Sequence, residues 1–173
     1  SLFQADGFRI SWTAANADRR YTVSYVALGG TDLSNAKVVT FTRAATGDYS
    51  TTGLGFQPTA LIVLAGVSTS ASASTAMLSM GWTDGTGSFV VGNGGYDNTG
   101  RRSSVRSTKI AELISGQTGS TVLDGTLVSL DADGFTINLA TCLSTCQFVV
   151  LALRGPQVKA STFNSPTSTG SQA

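Results

Sequence analysis

The sequence predicts an all-β protein, an antiparallel β-sandwich of jelly-roll or immunoglobulin-like outline. Apolar and polar residues alternate through several short segments, as they do on a strand with one buried face. Asp-Gly and Gly-Gly turns separate these segments at spacings of about 8–12 residues, which is typical of sandwiches and barrels. Of the 173 residues, 41% are hydrophobic and 12% are charged. A chain of this length and composition can bury one core of domain size.

The alternation predicts four strands with one buried face, at residues 8–12, 21–25, 39–41 and 135–139. Residues 60–65 and 148–153 are apolar throughout, and we expect them to form strands that are buried on both faces. Residues 108–114 (TKIAELI) are the one candidate helix, with a strand at a sheet edge as the equal alternative.

One pattern occurs near both ends of the chain. Ala5-Asp6-Gly7-Phe8 reappears 127 residues later as Ala132-Asp133-Gly134-Phe135, and apolar and Lys-x-x-Thr-Phe segments follow both copies in the same order. This order favours an array with units of about 125 residues over a chance likeness of hairpin sequences. We divide the chain into N-terminal strands (1–45), a main sandwich (46–160) and a Ser/Thr-rich tail (161–173). The N-terminal strands are then either the end of a preceding repeat or an arm that packs on a neighbour.

Composition removes several functions. The chain has no histidine and a formal net charge of +1. A His-dependent catalytic triad and a His-ligated zinc site are therefore excluded, and a general nucleic-acid binder would need more Lys and Arg. The apolar runs are far shorter than the ~20 residues that span a bilayer. No pair of carboxylates suits acid–base catalysis, so we expect no enzyme, no catalytic residues, no metal, no cofactor, and neither nucleic acid nor membrane as a partner.

Several motifs resemble a repeated β-sandwich module of tailed-bacteriophage virion proteins. They are residues 52–63 (TGLGFQPTALIV), residues 25–30 (YVALGG), the Gly-Trp-Thr-Asp-Gly turn at 81–85, and the Asp-Gly-Phe-x-Ile pattern. The resemblance implies a non-enzymatic structural protein of the virion, in the first place one that decorates and stabilises a capsid. Its partners would be other virion subunits, either the major capsid protein or like copies in a homo-oligomer, with a trimer as the expected form. The alternative is a head-fibre or tail-fibre module that binds glycan on the host surface.

Cys142 and Cys146 lie between the predicted strands 135–139 and 148–153. If those strands pair as a hairpin, the two cysteines face each other across its tip at a separation that permits a disulfide. This favours a disulfide over two reduced structural thiols, and leaves a metal site improbable in a chain without histidine.

The densest basic cluster, in the segment RRSSVRSTK, consists of Arg101, Arg102, Arg106 and Lys109. Arginine suits ion pairs at interfaces, so contact with an acidic patch on a partner subunit is one interpretation. A solvated strand edge that is charged against aggregation is the equal alternative.

Trp82 and Tyr96 flank glycine-rich turns, where an exposed aromatic ring can stack on a sugar. They are the candidate glycan contacts of the fibre alternative. Aromatic residues that cap the ends of the core are the interpretation that we prefer.

Overall fold

The computed structural model describes residues 3–4, 7–8, 31–67, 75–96 and 100–155. In this part of the chain every regular element is a strand, and two antiparallel sheets pack face to face. The predicted all-β sandwich is therefore confirmed.

The strands follow one another as β1 (Phe3–Gln4), β2 (Gly7–Phe8), β3 (Asn35–Arg43), β4 (Gly47–Thr51), β5 (Ala60–Val67), β6 (Thr75–Thr83), β7 (Ser88–Tyr96), β8 (Gly100–Ser107), β9 (Ala111–Ile114), β10 (Thr121–Asp131), β11 (Gly134–Cys142) and β12 (Cys146–Arg154). The larger sheet has six strands in the order β3-β12-β5-β6-β7-β8, and the smaller has four in the order β4-β11-β10-β9. β1 and β2 pair with each other in a separate two-stranded sheet.

The chain changes sheets at both ends of the sandwich. β3, β4 and β5 lie alternately in the larger and the smaller sheet, and β11 and β12 do so again. Between them, β5–β8 and β9–β11 are simple meanders. This winding places β12 between β3 and β5, so the ends of the described domain are held side by side.

The connection from β11 to β12 differs from the hairpin that we considered in the sequence. β11 pairs with β4 and β10, whereas β12 pairs with β3 and β5. The three residues between Cys142 and Cys146 therefore cross from one sheet to the other. Strands that lie consecutively in sequence need not pair. Here β11 and β12 each form their ladders of hydrogen bonds with two other strands.

The core fills the space between the two sheets. Phe135 and Ile137 point inward from the smaller sheet, and Phe148 and Val150 from the larger one, all at most 2% exposed. Phe41 from β3 stacks on Phe148 with ring centroids 4.7 Å apart. Burial of these large side chains is the main stabilising term of the sandwich.

The predicted strands 39–41 and 135–139 lie within β3 and β11 and are confirmed. Of the predicted strand 8–12, only Phe8 belongs to a described strand, and residues 21–25 lie outside the described residues. The segment 108–114 is not a helix. It leads into the edge strand β9, so the strand alternative was correct.

The repeated Ala-Asp-Gly-Phe letters have the same backbone pairing at both ends of the chain. In the first copy Phe3 pairs with Phe8 and Gln4 with Gly7. In the second, 127 residues later, Leu130 pairs with Phe135 and Asp131 with Gly134. The repeated sequence therefore corresponds to the same hairpin pairing, with two residues between the paired positions, in both copies. The array of units stays a prediction.

Residues 60–65 and 148–153 are buried on both faces only at one end, where Ala60 and Leu61 pair with Leu153 and Ala152. Further along, Leu64 in β5 is 38% exposed and Val149 in β12 is 42% exposed, while their neighbours Val63 and Val150 are buried. There the strands have one face in the core and one face outward. Apolar residues occupy both faces, so the alternation that marks a half-buried strand is missing from the sequence.

β9 lies directly on the inner face of the larger sheet. A Cβ atom added to Gly81 would stand 1.9 Å from the carbonyl oxygen of Ile110, and one added to Gly94 would stand 2.1 Å from that of Ile114. Gly92 has the same relation to the carbonyl oxygen of Glu112, at 2.5 Å. We call these three residues the glycine floor. Their missing side chains let the two backbones approach closely.

Replacing Gly94 by alanine should destabilise the fold by about 3 kcal/mol, because the new Cβ overlaps backbone atoms that belong to the other sheet. Gly95, the next residue in β7, is the matched control. A Cβ there meets only the carbonyl oxygen of Ala76 at 3.9 Å. Gly95→Ala should therefore change the free energy of unfolding by less than about 0.5 kcal/mol. Denaturant unfolding of both variants measures the difference, and equal midpoints would contradict the close approach of β9.

Candidate functional site

The outward face of the six-stranded sheet is covered with apolar side chains. Strand pairing places Val149, Leu64, Met80, Val91 and Val105 side by side, one from each strand from β12 to β8. The row therefore crosses five of the six strands, and Thr40 ends it on β3. Such a continuous apolar row is unusual on a surface that faces water.

A second row lies one pleat away. It consists of Val38, Leu151, Ile62, Trp82 and Phe89, which pair in this order from β3 to β7. Ser107 ends it on β8. We call the outward side chains of the six-stranded sheet, the two rows included, the outer sheet face.

The outer sheet face is accessible to solvent except at the end where Ala60 and Leu153 are buried. Val105 is 64% exposed, Val38 60%, Leu78 57% and Met80 47%. Among the described residues that pairing places on this face, Arg101 is the only charged one. An exposed apolar surface of this extent marks a site of interaction.

The glycine floor explains why β6 turns its large side chains outward. In β6, Leu78, Met80 and Trp82 alternate with Ser79, Gly81 and Thr83. Amphipathic alternation alone would point the first set into the core. Ser79, Gly81 and Thr83 are the buried ones, because only small residues fit beneath β9. We did not predict this surface from the sequence. Its one signal was a strand pattern in which glycine and small polar residues occupy the positions that alternate with the large apolar residues.

The two cysteines meet at the crossing between the sheets. Both are buried free thiols, and the Sγ atoms of Cys142 and Cys146 lie 3.4 and 3.3 Å from the carbonyl oxygen of Ser144. Burial, together with the neighbouring Cys142, raises the pKa of the Cys146 thiol to about 12. The disulfide stays a prediction, and it would join the two sheets rather than the strands of a hairpin.

The basic cluster is divided between the two sides of β8 and the loop that follows. Arg106 forms an ion pair with the buried Glu112 at 3.3 Å, and the hydroxyl of Ser104 hydrogen-bonds to the same carboxylate. Lys109 pairs with Asp124. These cations are therefore engaged within the chain.

The other two cations of the cluster have different surroundings. The Arg102 side chain lies against Gly119 in the loop after β9. Arg101 belongs to the outer sheet face. A partner contact by the whole cluster stays a prediction, and Arg101 is its member on the apolar surface.

Trp82 and Tyr96 do not come together. Trp82 is half-buried in the second row, where its ring centroid lies 6.3 Å from that of Phe89. Tyr96 ends β7 seven residues after Phe89, which corresponds to about 23 Å along a strand, and an odd residue separation puts it on the opposite side of the sheet. One glycan cannot contact both rings at a single subsite.

Asp133 joins two of the sequence motifs. Its carboxylate accepts hydrogen bonds from the N–H groups of Gly55 at 2.5 Å and Gly53 at 2.9 Å. Both glycines belong to the Thr-Gly-Leu-Gly-Phe segment, whereas Asp133 belongs to the Asp-Gly-Phe turn. These bonds, with Gly55 contributing most, hold the pKa of Asp133 below its ordinary value of 3.8. Leu54 and Phe56 are thereby held in the core, each 5% exposed.

The described residues contain few groups arranged for chemistry. Within these ranges no three side chains of the His, Cys, Asp or Glu type come together as a metal site requires. The same part of the chain has no helix with the length and apolarity needed to cross a membrane.

Comparison of the chain with protein-family models, with curated proteins and with solved structures gave no match. The fold and the surface define the class of protein: a β-sandwich with one neutral, apolar sheet face. The resemblance to phage virion modules stays a prediction.

Cys146 should react slowly in the folded protein. A thiol with a pKa of about 12 has a very small thiolate fraction near neutral pH, so alkylation of Cys146 should be on the order of 1,000-fold slower than that of an exposed thiol. Mass spectrometry after labelling under native and denaturing conditions measures the rates. Rapid native labelling of Cys146 would contradict this burial. An unreduced protein lighter by a pair of hydrogens would establish the disulfide instead.

Asp133→Asn should lower the melting temperature, and the loss should shrink as the pH falls. The lowered pKa means that the carboxylate stabilises the fold fully above pH 3.8 and progressively less below it. The variant lacks this charge at every pH, so the two proteins should converge in acid. Asp32→Asn is the control, since that exposed carboxylate accepts a 3.5 Å bond from the adjacent Thr31 hydroxyl. A gap that is independent of pH would refute the role of the charge.

Proposed function

We propose that this protein is a non-enzymatic structural subunit of a bacteriophage particle, and that it decorates and stabilises the capsid through contacts between subunits. The single observation that carries the proposal is the outer sheet face. Burial of apolar surface is the main favourable term in protein association, and only one charged side chain is found among the described residues of this face.

The electrostatics of the surface favour a protein partner. Nucleic acids and anionic membranes attract Lys and Arg side chains, and their affinity for a protein grows with the number of these contacts. On the outer sheet face only Arg101 could supply one. Apolar side chains such as Leu64 and Met80 instead fit the apolar centre of a protein interface.

The assignment to a phage particle is supported by the resemblance of the motifs. The contact of Asp133 with Gly53 and Gly55 adds to this support, because it joins two of the resembling motifs across 80 residues. Motifs that meet in this way belong to one structural module. The roles of these residues are structural, which fits a scaffold better than an active site.

The fibre alternative has weaker support. Its candidate contacts, Trp82 and Tyr96, lie on opposite sides of the sheet, and Trp82 packs within an apolar row. Stacking on a sugar requires an accessible ring beside hydrogen-bonding groups.

Cosedimentation with purified heads of the phage that encodes the chain tests the proposal. The protein should sediment with the heads and saturate at a fixed number per head. Met80→Lys should weaken binding, because it places a charge in the apolar surface through which the subunits that bind to the head contact each other. Leu143→Lys is the matched control, since Leu143 is 72% exposed in the loop between β11 and β12, away from that surface.

If the protein stays in the supernatant at every concentration, the proposed capsid role is refuted. A glycan array then tests the alternative. Glycan binding that is lost in Trp82→Ala, without any binding to heads, would assign the protein to a fibre.

A further inference from the structure

We propose that the outer sheet face packs against the same face of a second copy of this chain, so that the protein forms a two-fold symmetric dimer. The inference rests on the proposed structural role and names the partner of its main surface. Two properties of the surface carry it: its area and its charge.

The area of the outer sheet face suits a stable pair. Six strands of eight or nine residues form the sheet. Strands spaced about 4.8 Å apart and rising about 3.3 Å per residue give a face of roughly 24 by 30 Å, or about 700 Å². Each partner in a standard protein interface buries about 800 Å². The face, less its end at the buried Ala60 and Leu153, thus approaches the area that a specific complex needs.

The charge of the face allows it to meet itself. In a symmetric dimer each charge lies on both surfaces, so a cluster of one sign would repel its own copy. The outer sheet face has no acidic residue among those described, and its one basic residue, Arg101, lies on the edge strand β8. Recognition of a charged partner would require acidic residues, or more basic residues, on this face. A second copy of the same nearly neutral face requires neither.

The geometry closes at two copies. Sheets pack face to face about 10 Å apart with interdigitating side chains, as they do in the sandwich itself. A face that is covered by its own copy has no apolar surface left for a third. A dimer therefore follows from this contact, rather than the trimer that the family resemblance implies.

Sedimentation equilibrium of the full chain over a range of concentrations tests the inference. The wild-type protein should have the mass of two copies. Met80→Lys should raise the dissociation constant of the dimer by about 100-fold or more, because the lysine charge would lose its water in the contact. Leu143→Lys should dimerise like the wild type.

Val149→Lys is the second variant. Val149 lies two strands from Met80 in the same row, and this variant serves if Met80→Lys does not fold. Circular dichroism and thermal unfolding establish that the variants are folded. A monomer at every concentration would overturn the inference, and this includes the case in which another part of the chain covers the face. A dimer unaffected by both lysine variants, or a trimer, would overturn it as well.

The outcomes for the dimer and for the capsid role are separate. A dimer that does not sediment with heads keeps the paired faces and removes the capsid role. A monomer that sediments with heads keeps the capsid role and removes the paired faces.

Discussion

The close approach of β9 to the six-stranded sheet determines much of this sandwich. The carbonyl oxygens of Ile110 and Ile114 stand where the Cβ atoms of Gly81 and Gly94 would be. No other residue fits there, because any side chain would overlap backbone atoms that hydrogen bonding holds in place. Small residues must therefore face inward at these positions, although larger residues such as Met77 and Val90 face inward elsewhere in the two strands. In β6 the strand alternation turns Leu78, Met80 and Trp82 outward on either side of Gly81, so a packing requirement inside the protein contributes to the apolar surface outside it.

The outer sheet face thus has the properties of a core that lacks its second half. Central strands of a sheet are continuous hydrophobic segments when both of their faces are covered. β5 and β12 have this composition, with Leu64 and Val149 pointing away from the sandwich. A neutral apolar surface is costly to leave in water, and covering it with another subunit recovers that free energy. The structural role and the proposed pairing of like faces both follow from this property.

The few charged residues are largely used to hold loops and edges in place. Arg106 and Glu112 connect β8 to β9, and Lys109 binds Asp124 across the start of the smaller sheet. Asp133 fixes the loop before β5 through two backbone N–H groups. A charge that binds a backbone or a buried partner gives geometric definition as well as energy. Because the charges lie at these positions, the outer sheet face stays nearly neutral.

The sequence by itself determined the fold class and some of its parts. Alternation of period two predicted β3 and β11, and the repeated Ala-Asp-Gly-Phe letters predicted hairpin turns, because these signals depend on neighbouring residues alone. Only the tertiary structure decided which side of β6 faces the core, since alternation gives a period without a direction. It also decided that β9 is a strand and that β11 and β12 lie in different sheets. These features depend on contacts between distant segments, such as those of the Ile110 and Ile114 carbonyl groups with Gly81 and Gly94, which no local pattern records.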